Sequence, residues 1–272
     1  MQKNTQMMGE IPKKIHYVWM GGAEKSEMAL RCIESWKAYM PEYEIIEWNE
    51  SNFDVDSLAY TKEAYRQKKW AFVSDVVRTY ALKEFGGVYF DTDVELFSDP
   101  NGIFDRADAV FGFDTRFLLS TGVMATVPHH PIFEQLWAQY TEACFTNANE
   151  EMTINTRVTF LTVDYVGRRR FTDGTYFMNG VRILPRTYFS NNNAADKAPV
   201  FAIHHFAGTW KTKTQLTLPQ YVFFVLRFRL LVVCSAFLGN KAYIRVNDSF
   251  WRKALRRTER NLKRNARIYK VL

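Results

Sequence analysis

Cysteine is scarce in this chain: Cys32, Cys144 and Cys234 are the only three in 272 residues, far apart and with no C-x-x-C. That excludes a disulfide framework and a cysteine zinc site, and fits a reducing compartment. Met1 to Glu10 has no apolar core of the kind an export signal needs, so a cytoplasmic location is expected. There is also no uninterrupted apolar run. Tyr221 to Leu238 comes nearest, but Arg227 and Arg229 stand in its middle. Two arginines at mid-bilayer would cost roughly 5–7 kcal/mol, so this stretch reads as an in-plane or buried element rather than a span. Internal repeats and low-complexity tracts are missing too. Most of the chain lacks excess charge. Residues 241 to 272 hold eleven Lys/Arg and two Asp/Glu, leaving 25 basic and 27 acidic residues (36 − 11 and 29 − 2) in the other 240. A near-neutral body argues against nucleic-acid binding and places the basic excess in a terminal arm.

What is present is apolar and aromatic. Apolar residues make up 47% and aromatic residues 16%, enough to bury a large core. Ile15 to Trp19 reads as a buried strand ending at Gly21-Gly22. Glu27 to Met40 has helical spacing and stops before Pro41, and Tyr43 to Trp48 reads as a second strand. Strand, helix, strand in that order implies a βαβ unit and a mainly parallel sheet. Ala71 to Phe85 is predicted helical, with Phe72, Val76, Tyr80, Ala81 and Leu82 on one stripe and Gly86-Gly87 closing it. Val88 to Asp93, Ala109 to Phe113, Thr121 to Val127 and Val200 to His204 read as strands, and Pro131 to Cys144 as a helix. Residues 146 to 180 are polar and give no clear pattern. A last helix is expected from Asp248 or Ser249, with Trp251, Leu255, Leu262 and Tyr269 along one side.

Four features carry chemistry. Asp91 and Asp93 lie on one side of an alternating strand, and two adjacent carboxylates repel unless a cation lies between them. The competing reading is a pair of exposed loop carboxylates; a bare D-x-D is weak, but one following a glycine-ended helix and an apolar strand is much less common. Asp75 and Arg78 share a helix face. As a surface ion pair they would matter little. Their neighbours Phe72, Val73, Val76 and Val77 are apolar, however, and buried charges call for partners such as a ligand's hydroxyls and phosphates. Alternation sends one of His204 and His205 inward, where an imidazole could complete a metal shell, although two ordinary histidines at a strand end fit equally simply. Trp19 is either a core residue or a platform for a flat base.

At these residues the sequence resembles the D-x-D glycosyltransferases that include the yeast initiating mannosyltransferase, the glucosylating domain of clostridial toxins and bacterial capsule and lipopolysaccharide sugar transferases. The matching blocks are Ile11 to Trp19, Ala71 to Asp93 with its Ser-Asp-x-x-Arg and Gly-Gly-x-Tyr-x-Asp-x-Asp, and His204 to Trp210. The resemblance implies an α/β, GT-A-like domain over 1–218 with a central mixed, mainly parallel sheet flanked by helices. An apolar and basic helical extension over 219–272 follows it.

The resemblance also implies Mn²⁺ or Mg²⁺ and a UDP-sugar or GDP-sugar donor. Asp93 becomes the principal metal ligand, with Asp91 bridging metal and ribose or sugar, and Asp75 and Arg78 holding sugar hydroxyls. Trp19 lies against the base, Tyr89 near the ribose and Trp210 near the β-phosphate. His205, five before Trp210, is selected as the late metal ligand. Thr209 stands where the family commonly has Ser and keeps the hydroxyl.

The reaction so implied is retaining transfer of a hexose to a glycan or lipid-linked acceptor, in capsular or lipopolysaccharide-type polysaccharide synthesis. A catalytically inactive nucleotide-sugar-binding protein is the alternative. A metal-dependent phosphoesterase is a poorer one, since it needs more ligands in separate motifs than five histidines provide. Residues 219 to 272 either contact the inner membrane surface peripherally or pack on the catalytic domain or in a dimer.

Overall fold

Lys14–Val18 forms β1, whose last four residues are buried. Ser26 then caps helix α1 (Glu27–Tyr39), its hydroxyl accepting from the Ala29 amide. The helix ends where Pro41 could not continue it, and Glu44–Trp48 returns as β2, parallel to β1. This is the expected βαβ unit. After the short helix α2 (Ala59–Arg66) comes α3 (Trp70–Phe85), buried on nearly every side. Gly86 takes φ 61° and Gly87 φ 90°, conformations that only glycine adopts without strain. A Cβ on Gly87 would lie 2.6 Å from the Lys14 carbonyl oxygen, so this glycine lets β3 (Gly87–Phe90) lie close beside β1.

The computed structural model describes residues 9–115, 118–145, 153–167, 172–189 and 201–206, which all belong to one compact unit. After β3 come β4 (Val94–Leu96), α4 (Asn101–Phe104), β5 (Ala109–Phe113), β6 (Leu119–Thr126), α5 (Pro131–Thr141), α6 (Ile154–Tyr165), β7 (Tyr176–Met178), β8 (Val181–Leu184) and β9 (Ala202–His204). Seven strands form one sheet in the order β2-β1-β3-β6-β5-β8-β7. Five point the same way, and β6 and β7 run against them. The α/β class and the mixed, mainly parallel sheet flanked by helices are therefore as expected. Side chains of α2, α3, α5 and α6 fill one face with Tyr89, Phe111 and Met124. The other face buries Trp36 of α1 and α4 against Ile15, Val88 and Phe90. β4 and β9 stand apart as a two-stranded antiparallel ribbon.

Two local expectations change. The strand expected over Val88 to Asp93 stops at Phe90, and Asp91 to Val94 form a turn closed by Val94 N–H donating to the Asp91 carbonyl. Part of the 146–180 stretch is helix α6, whose threonines bond locally: Thr159 Oγ1 donates to the Asn155 carbonyl and accepts from the Leu119 amide. Trp210, the boundary at 218/219 and the extension with its last helix lie outside the described residues.

Candidate active site

The site forms where β1 and β3 end and the chain turns at Asp91. The Asp91 amide donates to the Gly122 carbonyl, which fixes the start of the turn against β6. Two groups then aim the Asp91 carboxylate. Tyr89 Oη donates to Oδ1 at 3.0 Å, and Arg78 Nη1 lies 3.0 Å from the same oxygen. Arg78 is buried in α3, and its fork is fully used. Nη1 also donates to the Thr121 carbonyl at 2.9 Å, Nη2 donates to Ser74 Oγ at 3.1 Å and lies 3.3 Å from Asp75 Oδ1, and the guanidinium stacks 4.5 Å from the Tyr89 ring centre. One arginine thus joins two of the three acidic residues singled out in the sequence, Asp75 and Asp91. Burial opposes its charge, but Asp91, Tyr89 and Asp75 outweigh that, and its pKa moves up. Asp75 behaves differently. Burial dominates over Arg78, and its carboxyl is pushed up to about 7. Arg78 therefore stays charged, while desolvation favours the neutral form of Asp75.

Asp93 sits at the other end of the turn, its Oδ1 3.1 Å from His204 Nε2. Asp91, Asp93 and His204 each offer one ligand atom, all within 4.8 Å of one another. His204 Nδ1 is buried with no hydrogen-bond partner among the described residues. Gly122 leaves the room: a Cβ there would meet His204 Cε1 at 2.9 Å and Asp91 Oδ2 at 3.0 Å. Burial works against a charged His204 ring, yet its hydrogen bond to Asp93 and the nearby charges of Asp91, Asp93 and Asp114 raise its pKa. The surroundings therefore favour positive charge at this point. Two carboxylates, one imidazole, an orphaned ring nitrogen and a glycine cradle fit a divalent cation with oxygen and nitrogen ligands.

The structure departs from the sequence reading at the histidine pair. His204 joins the carboxylates, whereas His205 Nε2 lies 2.8 Å from Glu95 Oε2, away from the cluster. Counting back from Trp210 selected the wrong neighbour because strand alternation decides which of two adjacent histidines faces in. Tyr89 is buried under Asp91, where it bonds Asp91 and Ser74. Trp19 is half-buried at the end of β1; its Nε1 donates to the Ala23 carbonyl and Lys25 Nζ lies 5.8 Å from its ring centre. Sequence reasoning did not single out Gly122 or Thr121, since nothing local marks them; only the β3–β6 pairing brings them to the site.

Residues 26–109 match the family described as "Glycosyltransferase sugar-binding region containing DXD motif". That span includes Asp75, Arg78, Asp91 and Asp93. Inositol phosphoceramide mannosyltransferase 2 of Schizosaccharomyces pombe (strain 972 / ATCC 24843) is 29% identical over 142 residues, covering 46% of this chain. The match spans 36% of that relative's length. Similar solved structures include PaToxG glycosyltransferase (16% identity, 58% of this chain and 70% of that one, TM-score 0.48). Another is a galactosyltransferase, LgtC, in complex with donor and acceptor sugar analogs (13%, 80% and 95%, TM-score 0.37). The resemblance stated from the sequence is thus met by a family match on the segment that carries the motif.

Proposed function

We propose, from the premise that residues 26–109 are a glycosyltransferase sugar-binding region with its DXD motif, that this chain transfers a hexose from a UDP- or GDP-sugar to a glycan or lipid-linked acceptor. The observation that carries the reading is the Asp91–Asp93–His204 cluster bordered by Asp75 and Arg78. Bound there, Mn²⁺ or Mg²⁺ supplies neutralisation of the leaving diphosphate. Asp91, Asp93 and His204 would hold the ion. Arg78 fixes Asp91 and keeps positive charge beside it. Asp75 presents an acceptor for sugar hydroxyls, and its position at the edge of ionisation lets it accept or donate.

By the family resemblance the catalytic domain is 1–218, with Trp19 assigned to the base and Trp210, outside the described residues, to the β-phosphate. The family resemblance implies retention of configuration, and since no carboxylate is an obvious nucleophile, the route proposed for it is departure and attack on one face of the sugar. Capsular or lipopolysaccharide-type synthesis fits such a reaction. The named acceptor of the S. pombe relative supports a lipid-linked one. Among the described residues no helix is long and apolar enough to cross a membrane. Residues 219–272, with their basic excess, would meet such an acceptor from the cytoplasmic face.

The test is a screen of UDP- and GDP-sugars with Mn²⁺, scored by donor hydrolysis, on wild type and Asp93→Ala. Metal-dependent hydrolysis of one donor class, lost in the variant, is expected. Undiminished metal-dependent turnover in Asp93→Ala would remove the assignment, and binding without turnover would leave a nucleotide-sugar-binding protein.

A further inference from the structure

His204 reaches the carboxylates from β9, which begins 106 residues after β4 ends (202 − 96) and pairs with it over only three residues. Two-stranded ribbons are marginal by themselves, and closing so long a loop costs entropy. Something must hold β9 in place. β4 is pinned to α1 by polar contacts: Trp36 Nε1 donates to the Val94 carbonyl at 2.8 Å, and the Leu96 amide donates to Ser35 Oγ at 2.9 Å. From this anchored strand Glu95 extends its carboxylate. Arg31 Nε of α1 lies 3.3 Å from both of its oxygens, and His205 Nε2 meets Oε2 at 2.8 Å. A carboxylate only accepts, so the ring nitrogen facing it carries the hydrogen. His205 also donates its backbone N–H to the Asp93 carbonyl at 2.9 Å. The residue after the inward histidine is therefore bonded, by main chain and side chain, to the residue bearing one carboxylate and to the strand that follows it.

The geometry points to Glu95 and His205 as positioning residues: their contact clamps β9 onto β4 and thereby sets His204 against Asp91 and Asp93. Neither side chain belongs to the cation cluster. Phe206 completes the arrangement, its ring stacked 4.2 Å from that of His204. The inference rests on the metal reading above. It goes beyond that reading by assigning the pair the placement of one ligand rather than ligation. Groups that orient a ligand typically change metal affinity 10–100-fold when removed.

The experiment measures Mn²⁺ affinity by calorimetry or by the electron paramagnetic resonance signal of free Mn²⁺, together with thermal melting, on the full chain. His205→Ala and Glu95→Ala are each expected to weaken Mn²⁺ binding about tenfold or more, with melting shifted only a few degrees. The double variant should be no weaker than the poorer single, as for one shared contact. His205 is the more exposed of the two, so its variant still reports if Glu95→Ala does not fold. Both singles within twofold of wild type, while His204→Ala loses binding, would overturn the clamp and leave the metal site standing. Additive losses in the double variant would overturn the pairing. No Mn²⁺ binding by wild type would instead remove the metal reading, and the clamp with it.

Discussion

A methyl group on residue 122 would fall 3.0 Å from Asp91 Oδ2 and 2.9 Å from His204 Cε1, inside the space the carboxylates and imidazole enclose. Gly122→Ala is therefore expected to weaken Mn²⁺ binding at least tenfold, while the fold, whose φ at this position suits any residue, melts within a few degrees of wild type. Calorimetric Mn²⁺ titration beside a thermal melt checks both halves. Arg78 is a second point where one side chain decides much. Its guanidinium makes separate contacts to Asp91, Thr121, Ser74 and Asp75 from a buried position. Lysine keeps the charge but has no planar fork, and so cannot serve opposite sides at once. Arg78→Lys should lower kcat/KM for donor hydrolysis by about a hundredfold, roughly 3 kcal/mol of lost stabilisation. A loss under threefold would mean that charge alone suffices. At this scale the sequence was a good guide to residue type and a poor one to direction. Asp75, Arg78, Asp91 and Asp93 were singled out and meet in space. His204 and His205 differ only in which way a strand points them, and one residue of phase reversed the choice.

Elements bring these residues together, and β3 is the one on which the others depend. It is reached through Gly86 and Gly87 and followed at once by the Asp91 turn. Gly87→Ala would combine a positive φ with a 2.6 Å approach to the Lys14 carbonyl oxygen; a loss of about 3 kcal/mol is expected, read as a lower urea midpoint. His16 ties the same region together. It is fully buried, bonds the Gly86 carbonyl through Nε2 and accepts from Trp48 Nε1, so one ring joins β1, β2 and the end of α3. Burial lowers its pKa from 6.5 to about 4, and burial does the same for His130. Both values are depressed in the folded protein, so the unfolded chain binds protons first. The stability these rings contribute is whole above pH 6.5 and falls as pH drops toward 4. Each accounts for on the order of 3 kcal/mol. Asp75, held up by burial, works the other way over the same range, so the rings are read by difference: urea midpoints of His16→Gln and His130→Gln should each fall less between those limits than those of wild type, and equal slopes would show that the rings titrate normally. The glycine-ended α3 and the βαβ opening were legible because their signals are local. β9 is legible as the strand over Val200 to His204, but its pairing with β4 is not, because the ribbon is three residues long and β9 begins 106 residues after β4 ends (202 − 96). α6 was hidden by its threonines and asparagine, poor helix formers, of which Thr159 and Asn155 bond β6 through their side chains.

The molecule as a whole carries a charge of +7, and the last 32 residues account for +9 of it against −2 elsewhere (11 − 2 and 25 − 27). If the proposed acceptor is lipid-linked, the basic excess in the last 32 residues of the sequence would serve to bring the chain to an anionic membrane surface. Each Lys or Arg near an anionic bilayer contributes about 1 kcal/mol, so the attraction is additive in charge and screened by salt. The full chain with Arg256, Arg257, Arg260, Lys263 and Arg264 all changed to Gln removes five of the eleven basic residues in that segment. Its affinity for vesicles containing phosphatidylserine should fall at least a hundredfold at low salt. Wild type should show the same loss when salt is raised. Donor hydrolysis in solution should stay unchanged in the variant, because the candidate site is built from residues 74 to 122 and 204. Equal sedimentation of variant and wild type with such vesicles would assign the basic excess to contacts within the protein or between copies, and the acceptor would then have to reach the site by another route.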